Sequence, residues 1–474
     1  MLEIHFFGAA QEVTGSCYLL RAGNKKVLIE CGLIQGSPED EERNRAPFPF
    51  NPREIDAVIL THAHLDHSGR LPLLRKSGYD GPIYTHKASA DLCRILLKDA
   101  GYLNEKEVEW DNRKRQRKHL PLLEPLYTME DAQDVMDQFV PLEYDTKTEI
   151  LPGVQLRLND AGHILGSSIV EVWLTDDGKM RKLVFSGDLG HHGAPILNDP
   201  ATIKQADLVI MESTYGDRDH RSWEETWQEL EEVMLNARLD KGVVMIPAFA
   251  VGRTQELLYA FNLNYEKWQL DRWAIFLDSP MAIEATETYS RHRELYDIEA
   301  TALQEQSGNP FMLPNLHLCR RAEESIAINR IRSGAIIIAG SGMCTGGRIK
   351  HHFKHNLWRN NCHVLIVGFQ ARGTLGRKLV DGATQISLWG ETIKVGAKIH
   401  TIGGFSAHAG HDALVKWYNN FDNQPPLALT HGEPEAITPL AQSIQKQGCH
   451  QLFKPHIGEG IDLVTMRSLK KMPK

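Results

Sequence analysis

Three histidines and an aspartate fall within six residues, in Thr61-His-Ala-His-Leu-Asp-His67, directly after the apolar run Ile55 to Leu60. That crowding constrains the fold more than any other feature of the chain. Side by side and protonated, His62, His64 and His67 repel one another; buried and neutral, they strand polar groups. A cation between them removes both penalties. Imidazole is a good ligand for zinc and carboxylates complete such sites, so this loop is expected to surround a metal or a metal pair at a strand end. A lone histidine is usually an ordinary surface or core side chain, but a cluster of this density is not.

Further candidate ligands follow at other predicted strand ends. They are His163 in Asp160-Ala-Gly-His-Ile-Leu-Gly-Ser167, Asp188 in Phe185-Ser-Gly-Asp188 and His431 in Leu429-Thr-His-Gly-Glu433. Glycines beside each permit close backbone approach.

Pattern and turn signals sketch the organisation. Ser16 to Leu20 and Lys26 to Glu30 read as a hairpin, Ile83 to Thr85 as a strand, and Leu71 to Lys76 and Ser89 to Ala100 as helices. Leu183 to Ser186 and Leu208 to Glu212 read as strands that run into polar turns. The middle has a βαβ rhythm, which predicts a mostly parallel sheet. Its strands are Val243 to Pro247, Ala274 to Leu277, Ala335 to Ala339 and Val364 to Gly368; its clearest helices are Trp223 to Leu239 and Thr254 to Asn262. From about Glu391 the chain returns to short strands that end in His408 and His431. In the first half lies the basic run Asn112-Arg-Lys-Arg-Gln-Arg-Lys-His119, followed by a predicted helix from Glu130 to Phe139. The run reads first as a solvated face and second as a phosphate-contacting lid.

Composition narrows the function classes. A net charge of -8 argues against a general polyanion binder, so any such contact must use local basic patches and metal ions. The seven cysteines are scattered without a Cys-x-x-Cys, which reads as reduced thiols. No apolar stretch approaches a membrane span and the start lacks a signal-peptide pattern, so a cytoplasmic location without a membrane partner is expected.

With these residues in view, the sequence resembles the metallo-β-lactamase superfamily, and within it the β-CASP nucleases. The motifs are the His-x-His-x-Asp-His run, Met211-Glu-Ser-Thr-Tyr-Gly216, Pro247-Ala-Phe-Ala-Val-Gly-Arg253, Gly340-Ser-Gly-Met343, Gly404-Phe-Ser-Ala-His408 and Thr430-His-Gly-Glu433. The resemblance covers nearly the whole chain. It implies an α/β fold: an αββα metallo-β-lactamase sandwich, residues 1-210 and 393-474, split by a β-CASP domain at 211-392 with the active site in the cleft between them. It implies two zinc ions, one held by His62, His64 and His163, the other by Asp66, His67 and His431, with Asp188 bridging. Glu30, in Glu30-Cys31-Gly32 where the family usually has Asp-Cys-Gly, is expected to orient a metal-binding histidine from behind. The stretch after His431 is too short for the additional C-terminal domain of ribonuclease J, so none is expected.

The activity implied is hydrolysis of single-stranded RNA to 5′-phosphate and 3′-hydroxyl products, with room for a homo-oligomer. His408, Glu212 and Asp66 are the catalytic candidates, and Glu212 is expected to bond one ring nitrogen of His408. Arg253, Ser341, Arg348, Arg377, Lys378 and Ser406 are the substrate-binding candidates, with salt bridges between the domains as the competing role for the basic ones. Met343, Phe353, Trp358 and Phe369 are expected to pack in a core or interface. Three rivals stand beside this reading. A small-molecule hydrolase of the same superfamily, such as a thioesterase, conflicts with the long middle domain; a DNA nuclease of the family conflicts with histidine at 431; a non-enzymatic scaffold conflicts with a complete ligand set.

Overall fold

The computed structural model describes residues 1–371 and 373–470. Its internal contacts divide the chain into two compact units, Met1–His192 with Asp199–Asp219 and His408–Lys474, and Gly193–Asn198 with His220–Ala407.

The first unit is built on two sheets. One has eight strands, in the order Arg467–Leu469, Gly460–Asp462, Leu2–Gly8, Cys17–Ala22, Lys25–Ile29, Ala57–Ile59, Ile83–His86 and Phe139–Leu142. The other has seven, in the order Leu452–Phe453, Leu427–Leu429, Leu208–Met211, Lys179–Phe185, Ser168–Asp176, Val154–Asp160 and Thr148–Leu151. Alternate side chains of the two face each other. Ile4, Phe6, Leu20 and Ile29 from the first join Leu158, Val172, Leu183 and Phe185 from the second in one buried cluster. Burial of each such side chain contributes about 1.5 to 3 kcal/mol. The far face of the seven-stranded sheet is covered by the helices His411–Tyr418 and Pro434–Lys446, through Leu414, Trp417, Ile437 and Leu440. The helix Lys87–Arg117 packs beside strands Ile83–His86 and Phe139–Leu142 of the eight-stranded sheet. This is the expected αββα sandwich.

The second unit has one six-stranded sheet, in the order Leu316–Leu318, Ala274–Leu277, Ala335–Ala339, Val243–Pro247, His363–Ile366 and Lys398–Thr401. Every pairing in it is parallel, as the βαβ rhythm predicts. The expected limits at 210/211 and 392/393 fall short of the crossings seen here at 219/220 and 407/408. The second difference has a plain cause: Lys398–Thr401 pairs with His363–Ile366, which keeps it in this sheet.

Two local differences matter below. The helix expected over Ser89 to Ala100 runs from Lys87 to Arg117, 31 residues. Gly101 invites a stop, but it serves close packing instead: a Cβ there would lie 2.7 Å from the Thr128 carbonyl oxygen. Beyond it, ion pairs one turn apart, Arg113 with Glu109 at 2.6 Å and Lys114 with Asp111 at 3.2 Å, support the helix. The helix expected over Glu130 to Phe139 is an α-turn, Met129–Asp134, and a 3₁₀ turn, Val135–Gln138, before Phe139 enters the sheet. All seven cysteines are free and buried. Among the described residues no helix is long and apolar enough to cross a membrane.

Gly101→Ala separates propensity from packing. Alanine in an open helix gains about 0.5 to 1 kcal/mol over glycine. Here the clash with backbone reverses the sign, and we expect a net loss of about 1 to 3 kcal/mol, read as a lower denaturant midpoint. A raised midpoint would show that the segment at Thr128 yields freely.

Candidate metal centre

Each candidate ligand sits just past a strand. Ala57–Ile59 leads through Thr61 to His62, and the one-turn helix Leu65–Ser68 presents Asp66 and His67 with His64 at its start. His163 lies in a tight turn, where the Ser167 hydroxyl accepts its backbone N–H at 3.0 Å. Asp188, Glu212 and His431 follow Lys179–Phe185, Leu208–Met211 and Leu427–Leu429, which neighbour one another as parallel pairs. His408 arrives by a backbone bridge to Gly190.

The side chains converge as two groups. In the first, His64 Nδ1 lies 3.1 Å from His62 Nε2 and 3.2 Å from His163 Nε2. Asp188 Oδ2 is 3.5 Å from both His62 Nε2 and His163 Nε2. In the second, His67 Nε2 and His431 Nε2 are 3.1 Å apart, and Asp66 Oδ2 is 3.4 Å from His431 Nε2. The other oxygen of Asp188 completes it, 3.4 Å from His67 Nε2 and 3.7 Å from His431 Nε2. Three ring nitrogens pointing at one spot cannot all hydrogen-bond one another, since each carries either one proton or one lone pair. Around a tetrahedral ion with bonds of about 2.0 to 2.2 Å, neighbouring donors stand about 3.3 to 3.6 Å apart. The spacing fits a cation in each group, and Asp188 Oδ1, buried with no hydrogen-bond partner, lacks only such a neighbour.

Protonation follows the same geometry. Burial holds His62 well below the usual imidazole range and His64 down to about 4, which leaves their lone pairs free. For Asp188 burial pushes upward, but the surrounding rings, His431 and His67 first, hold it well below the carboxylate range. Burial pulls His408 downward too, yet Glu212 and then Asp188 outweigh it and lift the ring to about 9. His408 Nδ1 stands 3.2 and 3.3 Å from the two Glu212 oxygens. Glu212 is fixed in turn, since its Oε1 accepts the Leu189 N–H at 2.7 Å and its own N–H donates to Ser186 Oγ at 3.0 Å.

Sequence reasoning missed two hydroxyls that hold the rings from behind. Thr61 Oγ1 is 2.9 Å from His62 Nδ1, and Thr214 Oγ1 is 3.0 Å from His431 Nδ1. Thr214 spends its proton on the His431 carbonyl at 3.2 Å, so it accepts from Nδ1–H and leaves Nε2 bare. The signal was available, because Thr61 and Thr214 stand inside the motifs themselves. Glu30 stands beside His67, with Oε2 3.6 Å from Nδ1, while its Oε1 accepts the Thr61 N–H at 2.9 Å.

Known proteins carry the same organisation. The chain matches the model of the metallo-β-lactamase superfamily over residues 10–236, the Beta-Casp domain over 254–379 and the Zn-dependent metallo-hydrolase RNA specificity domain over 392–456. It is 40% identical over 455 residues to a ribonuclease of Thermus thermophilus, covering 96% of this chain and 98% of that one. The chain belongs to the β-CASP family of the metallo-β-lactamase superfamily. It is also 32% identical to the transcription termination factor FttA of Methanosarcina mazei, over 94% of this chain and 69% of that protein. A crystal structure of a protein of unknown function from Enterococcus faecalis V583 shares the fold, with a TM-score of 0.53 at 14% identity over 97% of this chain and 99% of that one.

Within this β-CASP chain the candidate substrate residues divide. Two need correction. Arg253 is buried, with one nitrogen on Glu256 and another on the Phe405 carbonyl at 2.9 Å, and Arg348 holds buried Asp278 at 2.6 Å. Both guanidinium groups are engaged inside the second unit, by an acid and by backbone carbonyls, and not in the salt bridges between domains that were the competing expectation. Arg377 is exposed but paired with Asp381 at 2.9 Å, and Lys378 is exposed. Ser341 Oγ accepts the Thr345 N–H at 3.1 Å, and Ser406 is buried with its N–H on the Gly404 carbonyl at 3.0 Å. Phe353 is core and Met343 half-buried, whereas Trp358 and Phe369 are exposed, against the expectation of packing.

Thr214→Val removes the acceptor behind His431 while keeping the shape of the side chain. Metal affinity at the Asp66, His67 and His431 group should fall about 10- to 100-fold, measured by chelator competition. Thr214→Ser should restore it. Unchanged affinity in the valine variant would show that the hydroxyl does not hold the ring.

Proposed function

We propose that this chain is a two-zinc ribonuclease that hydrolyses single-stranded RNA to 5′-phosphate and 3′-hydroxyl products. The observation that carries the reading is the pair of donor groups sharing Asp188, with the His408–Glu212 pair beside them. The identity to a protein named a ribonuclease and the match to an RNA specificity domain support RNA as the substrate. In this reading His62, His64 and His163 would hold one zinc and Asp66, His67 and His431 the other, with Asp188 as a donor common to the two groups. Bound there, the two ions supply an activated water and neutralise charge on the phosphoryl oxygens.

The remaining steps belong to the chain. Glu212 anchors His408 Nδ1 and favours the imidazolium, which leaves Nε2–H to protonate the departing 3′ oxygen. The Leu189 N–H keeps the Glu212 carboxylate from turning away, and Ser186 Oγ holds the Glu212 backbone. Asp66, the least buried carboxylate of the cluster at 18% exposure, would accept a hydrogen bond from the attacking water. Glu30 steadies His67 from behind.

The direct test is digestion of end-labelled RNA and DNA of one sequence, with a circular RNA alongside and the new 5′ ends probed by ligation. RNA should be cut to ligatable 5′ phosphates, with about two zinc ions per chain and loss of activity on chelation. Cleavage of DNA alone, or of neither polymer by zinc-loaded protein, would overturn the reading.

The proton donor has its own test. His408→Ala should slow cleavage about 10²- to 10⁴-fold while both zinc ions stay bound. An RNA with sulfur at the bridging 3′ position leaves without a proton, so the variant should cut it nearly as fast as the parent does. Equal damage on both substrates would remove His408 from the acid role. The raised pKa also has a sign: the acid form is present below the His408 pKa and lost above it. Glu212→Gln should therefore move the alkaline limb of the rate profile to lower pH.

A further inference from the structure

The helix Lys87–Arg117 is about 46 Å long at 1.5 Å per residue. Its first half is packed, with Leu92, Cys93, Leu97 and Ala100 buried, but beyond Gly101 only Val108 is. The second half is covered on one side by the returning chain, which is pinned where Asn112 bonds both backbone groups of Leu123 at 2.8 and 2.9 Å. The rest of this arm is open, and it is not an ordinary polar surface. Trp110 is 62% exposed, Leu122 59% and Tyr102 47%.

Aromatic and cationic residues alternate along one face. Tyr102, Lys106, Trp110 and Lys114 stand four residues apart, so they share that face. Lys106 Nζ lies 5.8 Å from the Tyr102 ring and Lys114 Nζ 5.4 Å from the Trp110 ring. At the tip, Arg113, Lys114, Arg115, Arg117 and Lys118 are five cations without an acid among them. Arg113 and Lys114 pair with acids one turn back, and Arg115 bonds the Pro121 carbonyl at 2.6 Å. Among the described residues no ion pair engages Arg117 or Lys118.

We propose that this arm is a docking surface for the single-stranded RNA running beyond the metal centre. Tyr102 and Trp110 would stack bases, and Arg113, Lys114, Arg117 and Lys118 would hold phosphates. The inference rests on the RNA reading above and deepens it. Helix support by ion pairs accounts for Arg113 and Lys114, but not for an open tryptophan within one turn of a run of five cations. Alternating aromatics and cations suit single-stranded nucleic acid, where every base offers a face to stack and every link a charge. A two-fold contact with a second copy would cover the apolar groups too, but it would bring two basic runs together in a chain whose net charge of -8 elsewhere offers them acids. The other end of the helix is tied to the site: Ser89 Oγ donates to the Gly166 carbonyl at 2.7 Å, in the turn that carries His163.

The test compares an unstructured 30-nucleotide RNA with a 6-nucleotide one, using zinc-loaded protein. The variants are Trp110→Ala and a charge variant with Arg113→Gln, Lys114→Gln, Arg117→Gln and Lys118→Gln, each checked for an unchanged melting temperature. The charge variant should raise KM for the long RNA about tenfold, leave kcat and the short RNA alone, and lower the salt slope by about 0.7 for each phosphate it no longer neutralises. Trp110→Ala should raise the same KM at least about fivefold without changing the slope. If KM and slope are unchanged for the long RNA, the proposal fails. If the parent cuts no RNA, Kd by anisotropy replaces KM: weaker binding by both variants still supports the arm although the ribonuclease reading has fallen, and unaltered Kd overturns it. Variants that break a dimer without altering RNA affinity would also overturn it, in favour of a second copy.

Discussion

One buried carboxylate holds the centre of this molecule together. Asp188 is 2% exposed, and ring nitrogens of His62, His67, His163, His408 and His431 all lie within 3.9 Å of its oxygens. An unpaired buried charge is heavily penalised, whereas several protonated rings around it would repel one another. Protons alone settle this only by unequal shifts, with His67 held well above its usual range and His62 well below. A cation in each donor group would satisfy the same carboxylate and rings at once, and metal binding that does so favours the folded state.

The sandwich makes that convergence cheap in chain length. Lys179–Phe185, Leu208–Met211 and Leu427–Leu429 are adjacent parallel strands, so their ends lie side by side. Neighbouring strands are about 4.8 Å apart, close to the spacing that shared ligands require. Asp188, Glu212 and His431 therefore meet although residues 220–407 fold as another unit between the last two. The outer contacts do the fine positioning. Thr61, Thr214 and Ser186 are small hydroxyl residues at the strand ends, where backbone and ring both need a partner.

The centre was legible because its residues repeat a local rule, a histidine or carboxylate after an apolar run, and because histidines packed this densely are tolerable chiefly around a cation. The helix beyond Gly101 was not, since a glycine demanded by the Thr128 carbonyl looks the same in sequence as a helix stop. Arg253 and Arg348 misled for a related reason. A guanidinium beside a glycine-rich turn suits a phosphate and a buried acid equally well, and Glu256 and Asp278 are the acids that claim them. Trp358 and Phe369 show the converse, for large aromatics are usually packed and nothing local marks the ones left open.

The sequence by itself determined the residue types that gather at the site, the sandwich interrupted by a parallel α/β unit, and four of the six strands of that unit's sheet, because each is written in residue type and short-range period. Tertiary structure decided which nitrogen of each ring faces inward, which hydroxyl stands behind it, where the chain crosses between units, and which arginines are spent on buried acids. Many of those choices depend on partners from about 30 to more than 360 residues away, such as Thr61 with Glu30 or His67 with His431, and no local pattern encodes a partner at that distance.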